Sequence, residues 1–174
     1  PAPRDGKRHH LYCSPHNAGA LELAQELLQT HKFDLAVTTE VDELEACEHM
    51  AVYLTGLTWT SGEASMAFAH EVARAMRRGV HLLLLHEMPG GDDGKPGGDD
   101  EEQAARRGVE FGTFFNCEAG ATPKHLLDAG IYAQIAVPLK GGEYRKVSMA
   151  LFAQALADGV PADCKPVEVD EPPE

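Results

Sequence analysis

Two short, almost unbroken apolar runs, MAVYL at residues 50–54 and VHLLLL at 80–85, flank a stretch in which Met66, Ala69, Ala73 and Met76 recur at helical spacing. A run that is apolar on both faces suits a strand covered by helices on both sides. Strand, helix and strand at such short intervals call for a right-handed crossover and a parallel sheet. Ser61 is the expected N-cap of the intervening helix, and Gly79 its stop.

The pattern repeats on either side. Residues 9–13 read as a first strand, followed by the turn formers Ser14-Pro15-His16-Asn17 and a helix to Thr30 on which Leu21, Leu23, Ala24, Leu27 and Leu28 share a face. Residues 33–38 read as a second strand and 41–48 as a short helix. The aromatic stretch 108–115 fits a strand or a packed loop, Thr122-Pro123 opens a helix through Leu127, 131–137 is the expected last strand, and 144–157 a closing helix with Val147, Leu151, Phe152 and Ala155 inward. The expected fold is an α/β, flavodoxin-like three-layer domain: a central parallel sheet of about five strands covered by helices on both faces.

The domain is expected to run over 9–158, after a disordered leader at 1–8 and before an acidic, Pro-rich tail at 159–174. A flexible acidic loop is expected at 89–103, where 89–98 alone holds five glycines and two prolines. The residues given open on Pro1 without an apolar signal region, so the expectation is part of a longer cytoplasmic protein. Cysteines at 13, 47, 117 and 164 lack zinc-type spacing and read as free thiols of a reducing compartment. A net charge of −13 opposes a phosphate backbone, which argues against nucleic acid as a partner, and no apolar run is long enough to span a bilayer.

In an open α/β sheet ligands bind beyond the carboxyl ends of the strands. That nominates Ser14, His16 and Asn17 after the first strand, the 55–65 loop with Trp59, and His86-Glu87 after the fourth. Neither standard phosphate-binding glycine pattern occurs there, the nine histidines show no metal-ligand pairing, and Ser14 and Cys13 lack a nucleophile-elbow context. Trp59 is either a binding residue or a packing residue over the sheet edge. Glu71 lies mid-helix among small and apolar neighbours, Ala67, Phe68, Ala69, Val72 and Ala73. A carboxylate there would stabilise positive charge developing on a ribose as its bond to a base breaks. The alternative is a surface glutamate paired with Arg74 or Arg78, and Glu63 is a rival for the same chemistry.

From residue 9 to 157 the chain resembles a Toll/interleukin-receptor-like (TIR) domain. LYCSPHNAGALELAQELLQTHKFDLAV is similar to the family's first strand, polar loop, helix and second strand, and MAVYLTGLTWT to its third strand and following loop. FAHEVARAMRRGVHLLLL resembles the catalytic helix of the NAD-cleaving branch, with Glu71 on the glutamate. Glu71, Ala73, Ala75 and Gly79 also resemble the nucleophile helix of nucleoside deoxyribosyltransferases. The stretch between the second and third strands is shorter than the family's BB loop. The resemblance implies NAD+ hydrolysis to nicotinamide and ADP-ribose or a cyclic form, with Glu71 catalytic. It implies that Ser14, His16, Asn17, Trp59 and Phe68 contact the substrate. NAD+ is then substrate rather than cofactor, no metal is implied, and homotypic TIR self-association is the expected partnership. The alternatives are a non-catalytic TIR signalling module and a deoxyribosyltransferase-like enzyme.

Overall fold

The computed structural model describes residues 2–32, 34–89, 108–116 and 121–170. Five strands, β1 (His9–Tyr12), β2 (Val37–Thr38), β3 (Cys47–Leu54), β4 (His81–Glu87) and β5 (Val137–Leu139), form one sheet in the order β2-β1-β3-β4-β5. All four pairings are parallel, with Leu11 opposite Val37 and His49, and Ala51 opposite Leu83. This is the flavodoxin-like order, with its topological switch between β1 and β3.

Among the described residues four α-helices cover the sheet: α1 (Ala20–Thr30), α2 (Glu63–Arg77), α3 (Lys124–Asp128) and α4 (Arg145–Asp158). Alternation along the strands explains the layers, because successive side chains leave a strand on opposite faces. Met50, Val52 and Leu54 join Tyr12, Phe68, Val72 and Leu84 in the core under α2. Ala51 and Tyr53 join Leu11, Leu23, Leu27, Leu83 and Phe152 in the core under α1 and α4. All eight residues of β3 are buried, and its stretch 50–54 is apolar on both faces, as expected. Gly79 ends α2 at φ +67°, a left-handed conformation that suits glycine, with Pro166 packed against it.

Several boundaries differ from the sequence reading. Residues 41–46 form a 3₁₀ turn, and β3 starts at Cys47 because its polar opening pairs with β1, His9 opposite Cys47. The second strand is confined to Val37–Thr38, and Phe33 lies outside the described residues. Phe111–Phe115 is a 3₁₀ turn whose rings pack on Tyr132 and His86. The last strand falls at 137–139, while Ile131 is buried beneath α2 after the Gly130 turn. Pro138 is tolerated there because β5 is an edge strand.

Helix α2 begins at Glu63 after Gly62, and the Ser61 hydroxyl donates to Leu57 O instead of capping. Ser148, Met149 and Phe152 form the inward face of α4, whereas Val147 and Leu151 point outward. This helix is apolar on both sides, so periodicity could not choose the face; on the inward side Ser148 Oγ accepts the Lys140 N–H at 2.8 Å.

The leader is tied down, Arg8 N donating to Ala46 O at 2.8 Å. Beyond α4 the chain crosses back to α2, where Val167 N donates to Met76 O and Val169 is buried. Of the expected flexible loop, residues 90–103 lie outside the described residues, as do Cys117 and 171–174. Among the described residues no helix is long and apolar enough to cross a membrane.

Candidate functional site

Helix α2 crosses the sheet so that Glu71, two turns from its start, faces inward at the carboxyl end of β1. The residue is 9 % exposed, and its Oε2 accepts no hydrogen bond of regular geometry. Arg74 and Arg78, its surface-pairing alternatives, engage Glu45 at 3.2 and 3.3 Å instead. Glu63 lies exposed in the first turn of α2, where its charge complements the helix dipole. The buried carboxylate is therefore Glu71.

Two groups from the β1 end approach it. His16 Nε2 stands 3.9 Å from Glu71 Oε1 on a side chain that is 44 % exposed. Tyr12 contributes a buried phenol whose pKa is raised, first by burial and then by the neighbouring Glu71 charge, with Ser14 opposing the shift. Tyr12 and Glu71 interact at that range, yet no bond of regular geometry ends on Tyr12 Oη or Glu71 Oε2. A buried polar atom without a regular partner costs about 1–3 kcal/mol, and the two such atoms that lie together here make this the candidate site.

The rest of the first loop holds this geometry. Ser14 Oγ accepts the His16 N–H at 3.0 Å, setting the turn that projects the imidazole. Asn17 spends its amide on the backbone of β3, donating to Tyr53 O at 2.9 Å and accepting from Tyr53 N at 2.8 Å. Both residues are buried, so they position the loop and leave His16 as its outward side chain.

Trp59 and Phe68 are placed differently from the expectation that they touch a ligand. Trp59 is 6 % exposed, donates from Nε1 to Tyr132 Oη at 3.0 Å and packs on Phe68 at 5.2 Å between ring centres. Phe68 is fully buried. Together they form the floor on which the first half of α2 rests, and neither presents a free ring face for stacking. The loop carrying Trp59 is closed by its own hydroxyls: Thr58 Oγ1 accepts from Thr55 N at 2.8 Å and donates to Tyr53 O at 2.7 Å.

His86 and Glu87, after the fourth strand, also turn inward. His86 Nε2 sits 2.7 Å from Val109 O. Glu87 receives the Tyr53 hydroxyl at 2.7 Å and Arg145 Nη1 at 2.9 Å, while Arg145 also holds Glu26 through Nε at 2.7 Å. This satisfied network clamps α1, β4 and α4 beneath the crevice.

The structure thus brings Glu71 and His16 together, adds Tyr12, and assigns Ser14 and Asn17 to positioning. Tyr12 escaped the sequence reading because it sits inside the apolar run of β1; its even spacing with Ser14 was the available signal. No protein family profile, characterised protein or solved structure matches the chain.

Proposed function

We propose that the chain is a TIR-like domain that hydrolyses NAD+ at the bond between nicotinamide and ribose. The observation that carries this reading is Glu71, a buried carboxylate at the carboxyl end of β1 that has no guanidinium or ammonium partner and meets only Tyr12 and His16. As the C1′–N bond breaks, its electron pair passes to the nicotinamide nitrogen and discharges the pyridinium, so nicotinamide leaves neutral. Positive charge grows on C1′ and its ring oxygen. A carboxylate held in place without a countercharge stabilises that charge more than it stabilises the ground state, an effect worth about 10²–10³ in rate for one such group. Water then adds to C1′ and loses a proton to give ADP-ribose, or an internal nucleophile adds to give a cyclic form. His16, exposed beside Glu71, is the group in place to receive that proton.

Homotypic association and a cytoplasmic setting belong to the same proposal. They are supported by the outward apolar residues Tyr144, Val147 and Leu151 at α4, and by free thiols at Cys13, Cys47 and Cys164. The neighbouring Tyr12 phenol supports a second reading, in which Glu71 adds to C1′ of a nucleoside as a nucleophile and passes the sugar to another base.

Concentrated protein incubated with NAD+ distinguishes these readings by its products. Nicotinamide with ADP-ribose or its cyclic form is the expected result. Exchange of a labelled free base into a nucleoside, without loss of NAD+, would favour the transferase. Self-associated protein that leaves both substrates intact would favour a signalling module without catalysis.

A further inference from the structure

Between α2 and α3, five residues line a cavity of about 150 Å³: Met66, Ala69, His70, Pro123 and His125. It shares no lining residue with the Glu71 site. Three of the five carry metal-donor atoms, one thioether sulfur and two imidazoles, and the other two are small or apolar. Met66 and His70 stand one helical turn apart on α2, which puts them on the same face. His125 comes from α3 across the cavity, and the two imidazoles are close enough for the charge of one to act on the other. Met66 is 65 % exposed and His70 is exposed too, so an ion reaches these donors from solvent. Among the described residues no carboxylate or thiol lines the cavity. Asp128 and Asp170 act on His125 from outside it, Arg77 opposes them, and Asp128 is itself paired with Lys124.

We propose that this cavity binds a soft monovalent metal ion, copper(I), through the Met66 sulfur and one ring nitrogen each of His70 and His125. The donor set selects the ion. Thioether sulfur favours copper(I), whereas calcium and magnesium need oxygen donors, and structural zinc takes four ligands from Cys, His and carboxylates. Among the described residues no group of three His, Cys, Asp or Glu is placed to hold a metal, so the thioether is what completes this set. Imidazoles must be neutral to bind a metal. Burial, followed by the charges of His70 and Arg77, lowers the His125 pKa and keeps that ring neutral at neutral pH. The site is independent of the activity proposed at Glu71.

Silver(I), a redox-inert stand-in for copper(I), tests the assignment in the full chain. Cysteine thiols also take soft ions, so the readout is NMR of labelled methionine methyl groups and histidine rings, which resolves the site directly. Silver(I) is expected to shift the Met66, His70 and His125 signals together along one titration curve. In Met66→Leu, which keeps the side-chain bulk, the silver(I) concentration that half-shifts the two rings is expected to rise at least about tenfold. His125→Gln is expected to leave Met66 and His70 unshifted at the wild-type midpoint. Zinc(II) is expected to need at least about tenfold more than silver(I). The amide spectrum of each variant confirms that it is folded. Unmoved Met66, His70 and His125 signals, ring shifts unchanged by Met66→Leu, or zinc(II) bound as readily as silver(I) would overturn the proposal.

Discussion

Two buried glutamates at the carboxyl end of the sheet are treated in opposite ways. Glu87 has a guanidinium and a phenol at hydrogen-bond distance, whereas Glu71 has no guanidinium, only the Tyr12 phenol beside it and His16 at 3.9 Å. Burial alone does not distinguish them; the difference lies in the looser pairing of Glu71, which is what the proposed role asks of a reactive group. A comparable contrast governs the histidines. His49 is fully buried on β3, and its Nδ1 lies 2.7 Å from Nδ1 of His81 on β4. With the Gln134 amide oxygen facing His81 Nε2 at 2.5 Å, His81 donates there and accepts at Nδ1 from His49. That leaves His49 Nε2 as a buried lone pair with no partner. Burial, then the charges of His81, His10 and Arg4, push the His49 pKa down to about 3, and burial lowers that of His81 despite Gln134 and Asp163. The folded chain therefore takes up fewer protons than the unfolded chain between about pH 6.5 and 3, and stability falls as pH drops through that window. The loss attributable to His49 approaches about 4 kcal/mol at the acid end. Urea unfolding from pH 7 to 4 checks this: wild type should lose stability more steeply than His49→Gln, and parallel profiles would show that the pair does not titrate on unfolding.

At the scale of elements, the clamp through Arg145 explains how a helix that is apolar on both sides takes a single orientation. Arg145 binds Glu26 of α1 and Glu87 of β4 at once, which rotates α4 until Phe152 enters the core and Val147 faces out. Arg145→Met would leave two carboxylates close together without a cation, at a cost of about 3 kcal/mol. Glu87→Gln keeps the shape and a polar partner, and should cost about 1–2 kcal/mol. Chemical denaturation of the two variants measures the difference, and a loss below about 1 kcal/mol for Arg145→Met would mean that solvent screens the clamp. The same element shows where sequence reading reaches its limit. β1, β3, β4, α1 and α2 were legible because their apolar residues follow one period. The face of α4 was not, because a charge pair distant in sequence decides it. The opening of β3 was obscured by Cys47, Glu48 and His49, polar or weakly apolar residues buried at a strand start. Glu71 was legible from its small neighbours, whereas the Tyr12 phenol beside it depends on contacts that only the folded chain creates.

Across the whole molecule, the two ends of the sheet divide the chemistry. The carboxyl end carries Glu71, Tyr12 and His16 at the topological switch between β1 and β3, where α/β sheets open a crevice. The amino end carries the His49–His81 pair. Trp59 and Phe68 support the carboxyl end from below as core residues, which for Trp59 is the packing alternative that the sequence left open. The central claim is that the buried carboxylate of Glu71, and not the exposed Glu63, stabilises the ribosyl cation. The most direct measurement is the rate of nicotinamide release from NAD+ by self-associated wild type, Glu71→Gln and Glu63→Gln at equal concentration. A fall of about 10²–10³ in Glu71→Gln, with Glu63→Gln close to wild type, is the predicted result. Equal rates in wild type and Glu71→Gln, or a loss confined to Glu63→Gln, would contradict it.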